Sequence, residues 1–330
     1  MKSVPLKNMP ENIILIDQHN VAKVGSKLSI SLKKKFNVHH LLLRDHVATV
    51  TDVRRAFKLN PNKTLIIFIE PGDLAYRPKS KPEGFLFPKI YGIKRPPRIP
   101  FGLFWCGSIY RINNYAVLAK LPLKHSKHLR QRRAVINNMS PLRMVATEDL
   151  STIDKGAVYV GQPFPFDKTS TIKEYDHNII HVPTSGKSTN YFKGTDKIAK
   201  SFSMMSDSIS TEILKFGTEN KNVLKRMKRA TMFIATMTDW EYGTGYTAIE
   251  AMSCGCLTFS KKPKSSTSPI IHVENPKDLV EKVNYYLYHN DEYEQIRMNQ
   301  FNWAKSFFNN KSIAEHIYNE IERIVKRGWK

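Results

Sequence analysis

The chain is poor in cysteine: Cys106, Cys254 and Cys256 are the whole supply in 330 residues, and no two form a CxxC pair. That argues against a disulfide framework or a cysteine zinc site and for a reducing compartment. No apolar run approaches the roughly 20 residues that cross a bilayer. Residues 1–12 are polar, without the apolar core of a signal peptide. A cytoplasmic protein without stable membrane insertion is therefore expected. Acid is scarce as well: 29 Asp and Glu stand against 52 Lys and Arg, a formal net charge of +23. No acidic cluster suggests a tightly held metal ion. Disorder is not indicated, because 41% of the residues are hydrophobic. The length suffices for two domains with full cores.

The excess charge is uneven. Residues 1–174 carry 30 basic and 12 acidic residues, and 175–330 carry 22 and 17. Between 77 and 133 there are 14 basic residues and one acid, Glu83. A merely soluble surface mixes both signs, so this segment reads as a surface for a polyanion. Arg77, Lys79, Lys81, Arg95, Arg98, Arg111, Lys124, Lys127, Arg130, Arg132 and Arg133 are the candidate acceptor-binding cations.

In the second half, residues 231–236 read as a buried strand. Tyr242-Gly243-Thr244-Gly245-Tyr246-Thr247 follows it and opens a helix that Gly255 caps. A glycine turn at a helix start presents unpaired amides, which suit a phosphate. Glu250, one turn inside, shares a face with Tyr246 and Thr247; a carboxylate there repels phosphate and accepts hydrogen bonds from a sugar diol. A second strand, 178–182, precedes Ser185, Lys187 and Lys193-Gly194-Thr195-Asp196, which opens a helix running to about Met205. Lysine beside glycine at a helix start again suits a diphosphate. The two segments together fit a nucleotide sugar.

On these residues the chain resembles the retaining glycosyltransferases of the GT-B fold, family four. The resemblance rests on His181-Val182-Pro183-Thr184, Lys193-Gly194-Thr195-Asp196, Gly243 and Glu250-Ala251-Met252-Ser253-Cys254-Gly255. It covers 178–260 closely, extends to 330, and is faint before 175. It implies an α/β protein of two Rossmann-like domains facing across a cleft: residues 1–170 for the acceptor, 171–308 for the nucleotide sugar, and 309–330 as a helix returning to the first domain. It implies Lys193 on the donor diphosphate, Glu250 on the ribose, and the loop 216–220 near the nucleobase. UDP is preferred by the habit of the family, which needs no tightly bound cofactor or divalent metal. The family's first glutamate falls on Tyr242 here, with Glu241 one residue early, so the contact to the donor sugar is the feature that departs.

The first half reads as parallel α/β, with strands at 12–17, 38–43, 64–69 and 101–106 and shorter ones at 144–147 and 157–160. A loop through Gly25 leads to a helix over 27–36. Six prolines between 77 and 100 exclude a central strand there. Ligands of open α/β sheets bind beyond the carboxyl ends of the strands. Asp17, His19 and Glu70, which follow the first and third strands, are therefore the catalytic candidates, although a retaining enzyme can use the departing diphosphate as base. Each of the three also has a plain structural role open to it, and His181 reads as structural.

Duplex DNA is the acceptor that best rewards a broad basic surface. A base must be flipped out to be modified, and the 77–100 loop combines cations with Phe85, Phe87 and Tyr91. The chain is similar in outline to phage DNA glycosyltransferases, whose acceptor would be a hydroxymethylated base such as 5-hydroxymethylcytosine. Two alternatives stand beside this reading: a peripheral membrane glycosyltransferase acting on a lipid-linked or cell-envelope acceptor, and a non-catalytic nucleic-acid binder that kept the fold.

Overall fold

The structure is a computed structural model that describes residues 6–17, 23–42, 55–56, 58–69, 100–106, 140–166, 176–183, 193–215, 217–238, 243–263 and 266–328. The chain divides into two compact units, Met1–Pro163 with Asn310–Lys330, and Phe164–Asn309.

Among the described residues of the first unit, six strands form one parallel sheet: β1 (Asn12–Asp17), β2 (Asn37–Leu42), β3 (Thr64–Ile69), β4 (Phe101–Trp105), β5 (Arg143–Val145) and β6 (Val158–Tyr159). Their order is β2-β1-β3-β4-β5-β6. A parallel sheet covered on both faces needs apolar residues at successive positions, not alternating ones. Ile13 to Ile16 and Leu65 to Ile69 meet that demand, each 0–1% exposed. Strand order reverses direction between β1 and β3, and the carboxyl end of β1, Asp17, pairs with Ile69 of β3 there.

Helix α1 (Val24–Leu32) starts earlier than the sequence pattern suggests, and Gly25 lies inside it rather than in a loop. The reason is steric. A Cβ on Gly25 would stand 2.3 Å from Asp17 Oδ2 and 2.6 Å from His40 Nε2, so glycine is the residue that lets the helix start against the end of β1. The helix also ends before Phe36, because the chain must turn at 33–36 to bring Asn37 into register with Asn12. A short helix, α2 (Glu148–Ile153), joins β5 to β6. At six residues it is too short to leave a periodic signature, and the sequence pattern does not reveal it.

The second unit holds five described parallel strands: β7 (Asp176–His181), β8 (Ser210–Ile213), β9 (Ala230–Thr236), β10 (Leu257–Ser260) and β11 (Ile271–His272), in the order β11-β10-β9-β7-β8. Helices α3 (Thr195–Phe202), α4 (Asn220–Arg229), α5 (Tyr246–Ser253), α6 (Pro276–Tyr288) and α7 (Asn290–Phe308) connect and flank them. Helix α3 stops at Phe202, three residues short of the expected end, where the backbone turns through 203–204. Ile179, Met232, Ile234, Leu257 and Phe259 from the strands pack with Ile198, Leu279, Val283 and Tyr293 from the helices. Burial of each such side chain contributes about 1.5–3 kcal/mol. Gln300 on α7 is fully buried and clamps β10: its side chain accepts from Thr258 N at 2.7 Å and donates to Thr258 O at 3.0 Å.

Helix α8 (Asn310–Arg327) belongs to the first unit and packs on α1. Ile313, Ile317, Ile321 and Ile324 recur every three or four residues and are buried along one stripe. The Phe36 and Tyr318 rings meet at a 31° tilt with centroids 5.9 Å apart, and Lys35 pairs with Glu315 at 2.7 Å. The two-lobed α/β architecture with a returning terminal helix is therefore present as expected. Ile317→Ala should lower the unfolding free energy of the first unit by about 2–5 kcal/mol, the cost of a large-to-small core change. The exposed change Lys326→Ala should cost under ~1 kcal/mol. Urea titration followed by circular dichroism separates the two.

Candidate functional site

The site in the second unit forms where the strand order reverses, between β7 and β9. Crevices at such switch points receive ligands because the loops leaving the two strands diverge to opposite faces of the sheet. Lys193 and Gly194 lie between β7 and α3, at the start of α3, and Gly243, Thr244 and Gly245 lie between β9 and α5, at the start of α5.

Gly194 is the hinge of the first turn. It caps α3 in the left-handed region at φ 65°, and a Cβ there would lie 2.1 Å from the Met237 carbonyl oxygen. No other residue satisfies both conditions without displacing backbone. Met237 N donates to Lys193 O at 2.8 Å and locks the turn to the end of β9. His181, at the end of β7, completes the clamp. Its Nδ1 lies 2.7 Å from the Ile234 carbonyl oxygen, which can only accept, so Nδ1 carries the proton and Nε2 accepts from the Thr195 hydroxyl at 2.9 Å. Burial is the main cause that lowers the His181 pKa to about 3, and the Lys193 charge adds to it, against the opposing bond to Ile234. A neutral imidazole spanning β7, β9 and the start of α3 is a brace, which is the structural role its sequence position suggests.

With the turn fixed, the Lys193 side chain runs inward, only 4% exposed, and Nζ donates to Thr247 Oγ1 at 2.7 Å. Thr247 lies in the first turn of α5. The lysine thus delivers its cation to the amino end of a helix, where the macrodipole is already positive. That juxtaposition suits a diphosphate. Gly243 turns the backbone with φ 77° just ahead of it. The Thr244 hydroxyl is fully buried, and it finds no hydrogen-bond partner among the described residues. At its far end α5 closes in a Schellman motif on Gly255 (φ 74°), with Gly255 N bonded to Met252 O and Cys256 N to Ala251 O, both at 2.9 Å.

Glu250 is 4% exposed and its Oε1 accepts from Asn220 Nδ2 at 2.8 Å. Asn220 is the first residue of α4, so the carboxylate is anchored to the loop that follows β8. Sequence reasoning placed Asn220 at the end of the 216–220 loop expected near the nucleobase and did not tie it to Glu250; an asparagine opening a helix mostly caps the helix itself. Here it caps nothing and spends its amide on Glu250. Tyr246, four residues before Glu250 on the same face, has its phenol pKa raised first by burial and then by that carboxylate. Its ring lies 5.6 Å from Phe164.

In the first unit Asp17 is fully buried at the end of β1, with His40 Nε2 3.9 Å from its Oδ2. It sits at that sheet's own switch point. His19 and Glu70 lie outside the described residues, as do Ser185, Lys187, Glu241 and the eleven candidate acceptor-binding cations between 77 and 133. All three cysteines are buried and outside any disulfide. Among the described residues no group of three His, Cys, Asp or Glu could hold a metal ion, and no helix is long and apolar enough to cross a membrane.

No protein-family model matches the sequence, and no curated protein matches it. In three dimensions the chain is similar to HepE of Anabaena, solved with UDP and glucose, at a TM-score of 0.62 and 11% identity over 95% of this chain and 100% of that one. The fold is GT-B. It is also similar to an alpha-glucosyltransferase solved with UDP-glucose and DNA containing an abasic site, at a TM-score of 0.54 and 11% identity over 94% and 99% of the two chains. A TarM variant of S. aureus, solved with fondaparinux, alpha-GlcNAc-glycerol and UDP, gives 0.55 and 11% over 78% of this chain and 55% of its own.

The His181 brace makes a pH prediction. A folded-state pKa of about 3 against the usual 6.5 means that the unfolded chain binds the extra proton between those values. Stability is therefore fully present above pH 6.5 and is lost as pH falls toward 3, with a slope of up to ~1.4 kcal/mol per pH unit. The stability difference between wild type and His181→Gln should shrink as pH drops from 7 to 4, measured by urea unfolding at each pH. A pH-independent difference would mean that His181 is not held neutral.

Proposed function

We propose that the protein is a glycosyltransferase that moves a sugar from a UDP-sugar to a hydroxyl on a hydroxymethylated base in duplex DNA, with retention of configuration. The observation that carries the donor half of this reading is the meeting of Lys193 Nζ with the first turn of α5 at 2.7 Å, beside a buried Glu250 held by Asn220. A cation and helix amides together match a diphosphate. A carboxylate one turn away, displaced from the amide cluster, matches a ribose diol. The buried Thr244 hydroxyl is a further donor on the diphosphate side. Structural neighbours solved with UDP favour the same nucleotide.

In the proposed reaction the bond from the sugar C1 to the diphosphate oxygen breaks and a bond from C1 to the acceptor oxygen forms on the same face. The departing diphosphate takes the acceptor proton. Lys193 and the α5 amides are in place before the charge develops, so they stabilise the leaving group without reorganising, a contribution of about 10²–10³ in rate for one such donor. Asp17, His19 and Glu70 stay the candidates for orienting the acceptor. Lys193 and Gly194, with Ser185, Lys187, Glu241, Gly243, Thr244, Gly245, Tyr246, Thr247 and Glu250, form the proposed donor site.

The acceptor half rests on charge. The 77–133 segment holds 14 cations against one acid, in a chain of net +23, and the similarity to a glucosyltransferase solved with DNA fits the same partner. The alternative of a non-DNA acceptor draws on the likeness to TarM, solved with alpha-GlcNAc-glycerol, which spans little more than half of that chain. The deciding experiment incubates the protein with UDP- and GDP-sugars and with hydroxymethylcytosine-containing duplex, then digests the DNA for mass spectrometry. A nucleoside heavier by one sugar is expected. UDP release without added mass would move the acceptor to a glycan or lipid, and no turnover with any donor would sink the enzyme reading.

Donor-site substitutions should separate in kind. Lys193→Gln should lower kcat by ~10²-fold or more through lost leaving-group stabilisation. Glu250→Gln should act on binding, raising the KM for UDP-sugar while changing little the KM for a donor lacking the ribose 2′- and 3′-hydroxyls. Equal effects on both donors would remove Glu250 from the ribose.

A further inference from the structure

A groove of about 560 Å³ lies on the second unit between β8, the edge strand of its sheet, and α4. Its lining includes Lys215, Asn222, Lys225, Arg226 and Arg229, with Glu212 as the acid. Glu212 is already engaged with Arg226 at 3.8 Å, so its charge is compensated within the groove. Helix α4 reads NKNVLKRMKR, with Lys221, Lys225, Arg226, Lys228 and Arg229 exposed and only Val223 and Met227 buried. Basic residues in the last turn answer the helix dipole. Neither that account nor the Lys221–Glu219 pair at 2.9 Å covers Lys225 or the absence of any acid in the helix.

The position of the groove matters as much as its sign. Helix α4 begins with Asn220, the residue that holds Glu250, and its next turns line the groove. One short helix therefore ties the proposed ribose carboxylate to a cationic surface. The donor diphosphate has its own partners in Lys193 and α5. Lys225 and Arg229, one helical turn apart, stand about 6 Å from each other along the axis, which suits successive phosphates of a nucleic-acid strand. The cations are exposed ends of long side chains, the form in which a phosphodiester backbone is held without sequence readout.

We propose that the β8–α4 groove binds the phosphodiester backbone of the nucleic-acid acceptor, so that the donor-binding unit itself contacts the acceptor. This rests on the DNA reading given above. It extends the acceptor surface beyond the 77–133 segment to a unit whose overall charge gave no reason to expect it.

The test measures the salt dependence of binding of a hydroxymethylcytosine-containing duplex by fluorescence anisotropy. Each phosphate contact contributes about 0.9 to the slope of log K against log salt. Lys215→Gln/Lys225→Gln, which leaves the Arg226–Glu212 pair intact, should reduce the slope by about 2 and leave UDP binding unchanged. The control Lys277→Gln/Lys305→Gln removes two exposed cations elsewhere on the same unit and should keep the wild-type slope. If both doubles keep it while the wild type glycosylates the duplex, the groove proposal fails and the function stands. If the wild type neither binds nor modifies duplex, both fail. Loss of binding to phosphatidylglycerol vesicles in Lys215→Gln/Lys225→Gln, with duplex binding unchanged, would overturn the proposal in favour of a lipid surface.

Discussion

Everything proposed for the donor site depends on one backbone contact, the approach of the Lys193-Gly194 turn to the end of β9. Met237 donates to the Lys193 carbonyl at 2.8 Å, and the Met237 carbonyl oxygen occupies the space that any side chain at 194 would need. The turn lies against a strand that follows it by some 40 residues, and that closeness aims Lys193 inward. Relax it, and the lysine becomes an ordinary solvated residue at a helix start. The His181 brace serves the same end by tying two strands and α3 through a single neutral ring. A protonated ring would place a second buried charge beside that of Lys193.

The site illustrates how a doubly wound sheet concentrates chemistry. Neither the lysine turn nor the glycine turn is distinctive by itself. Strand order brings them together, because β7 and β9 are neighbours while β8 is placed outside. The amino end of α5 then meets a cation it could not have recruited from its own sequence. Glu250 lies one turn further along and is tied to Asn220, so in the proposed reading one short helix presents an anion site at its start and a hydroxyl site one turn later.

The first unit has the same logic with a different outcome. Asp17 occupies the equivalent switch point of the other sheet, but Gly25 and His40 close around it. Its burial makes it a residue that positions its surroundings as readily as one that meets a ligand. The basic character of the chain, meanwhile, is not confined to one half: α4 carries five cations and no acid in a unit that is nearly balanced overall. A net charge summed over a domain hides such a helix, because acids elsewhere in the sequence cancel it arithmetically without being near it in space.

The sequence by itself determined the strand positions of the first sheet and of β7 and β9 in the second, since most buried parallel strands carry unbroken apolar runs; the half-exposed β8 and the two-residue β11 carry no such run. It also determined the glycine turns and the helix that carries Glu250, since left-handed backbone and helix caps restrict residue choice locally. It did not reveal α2, which spans fewer than two turns, or the early start of α1, which depends on space beside Asp17. The tertiary structure decided that Lys193 and Glu250 are buried, that they meet Thr247 and Asn220, and that Lys215 shares a groove with α4. The Lys193 and Glu250 contacts join residues 54 and 30 positions apart. Local propensity is blind at that range, and only the order of strands in the sheet brings such residues within hydrogen-bond reach.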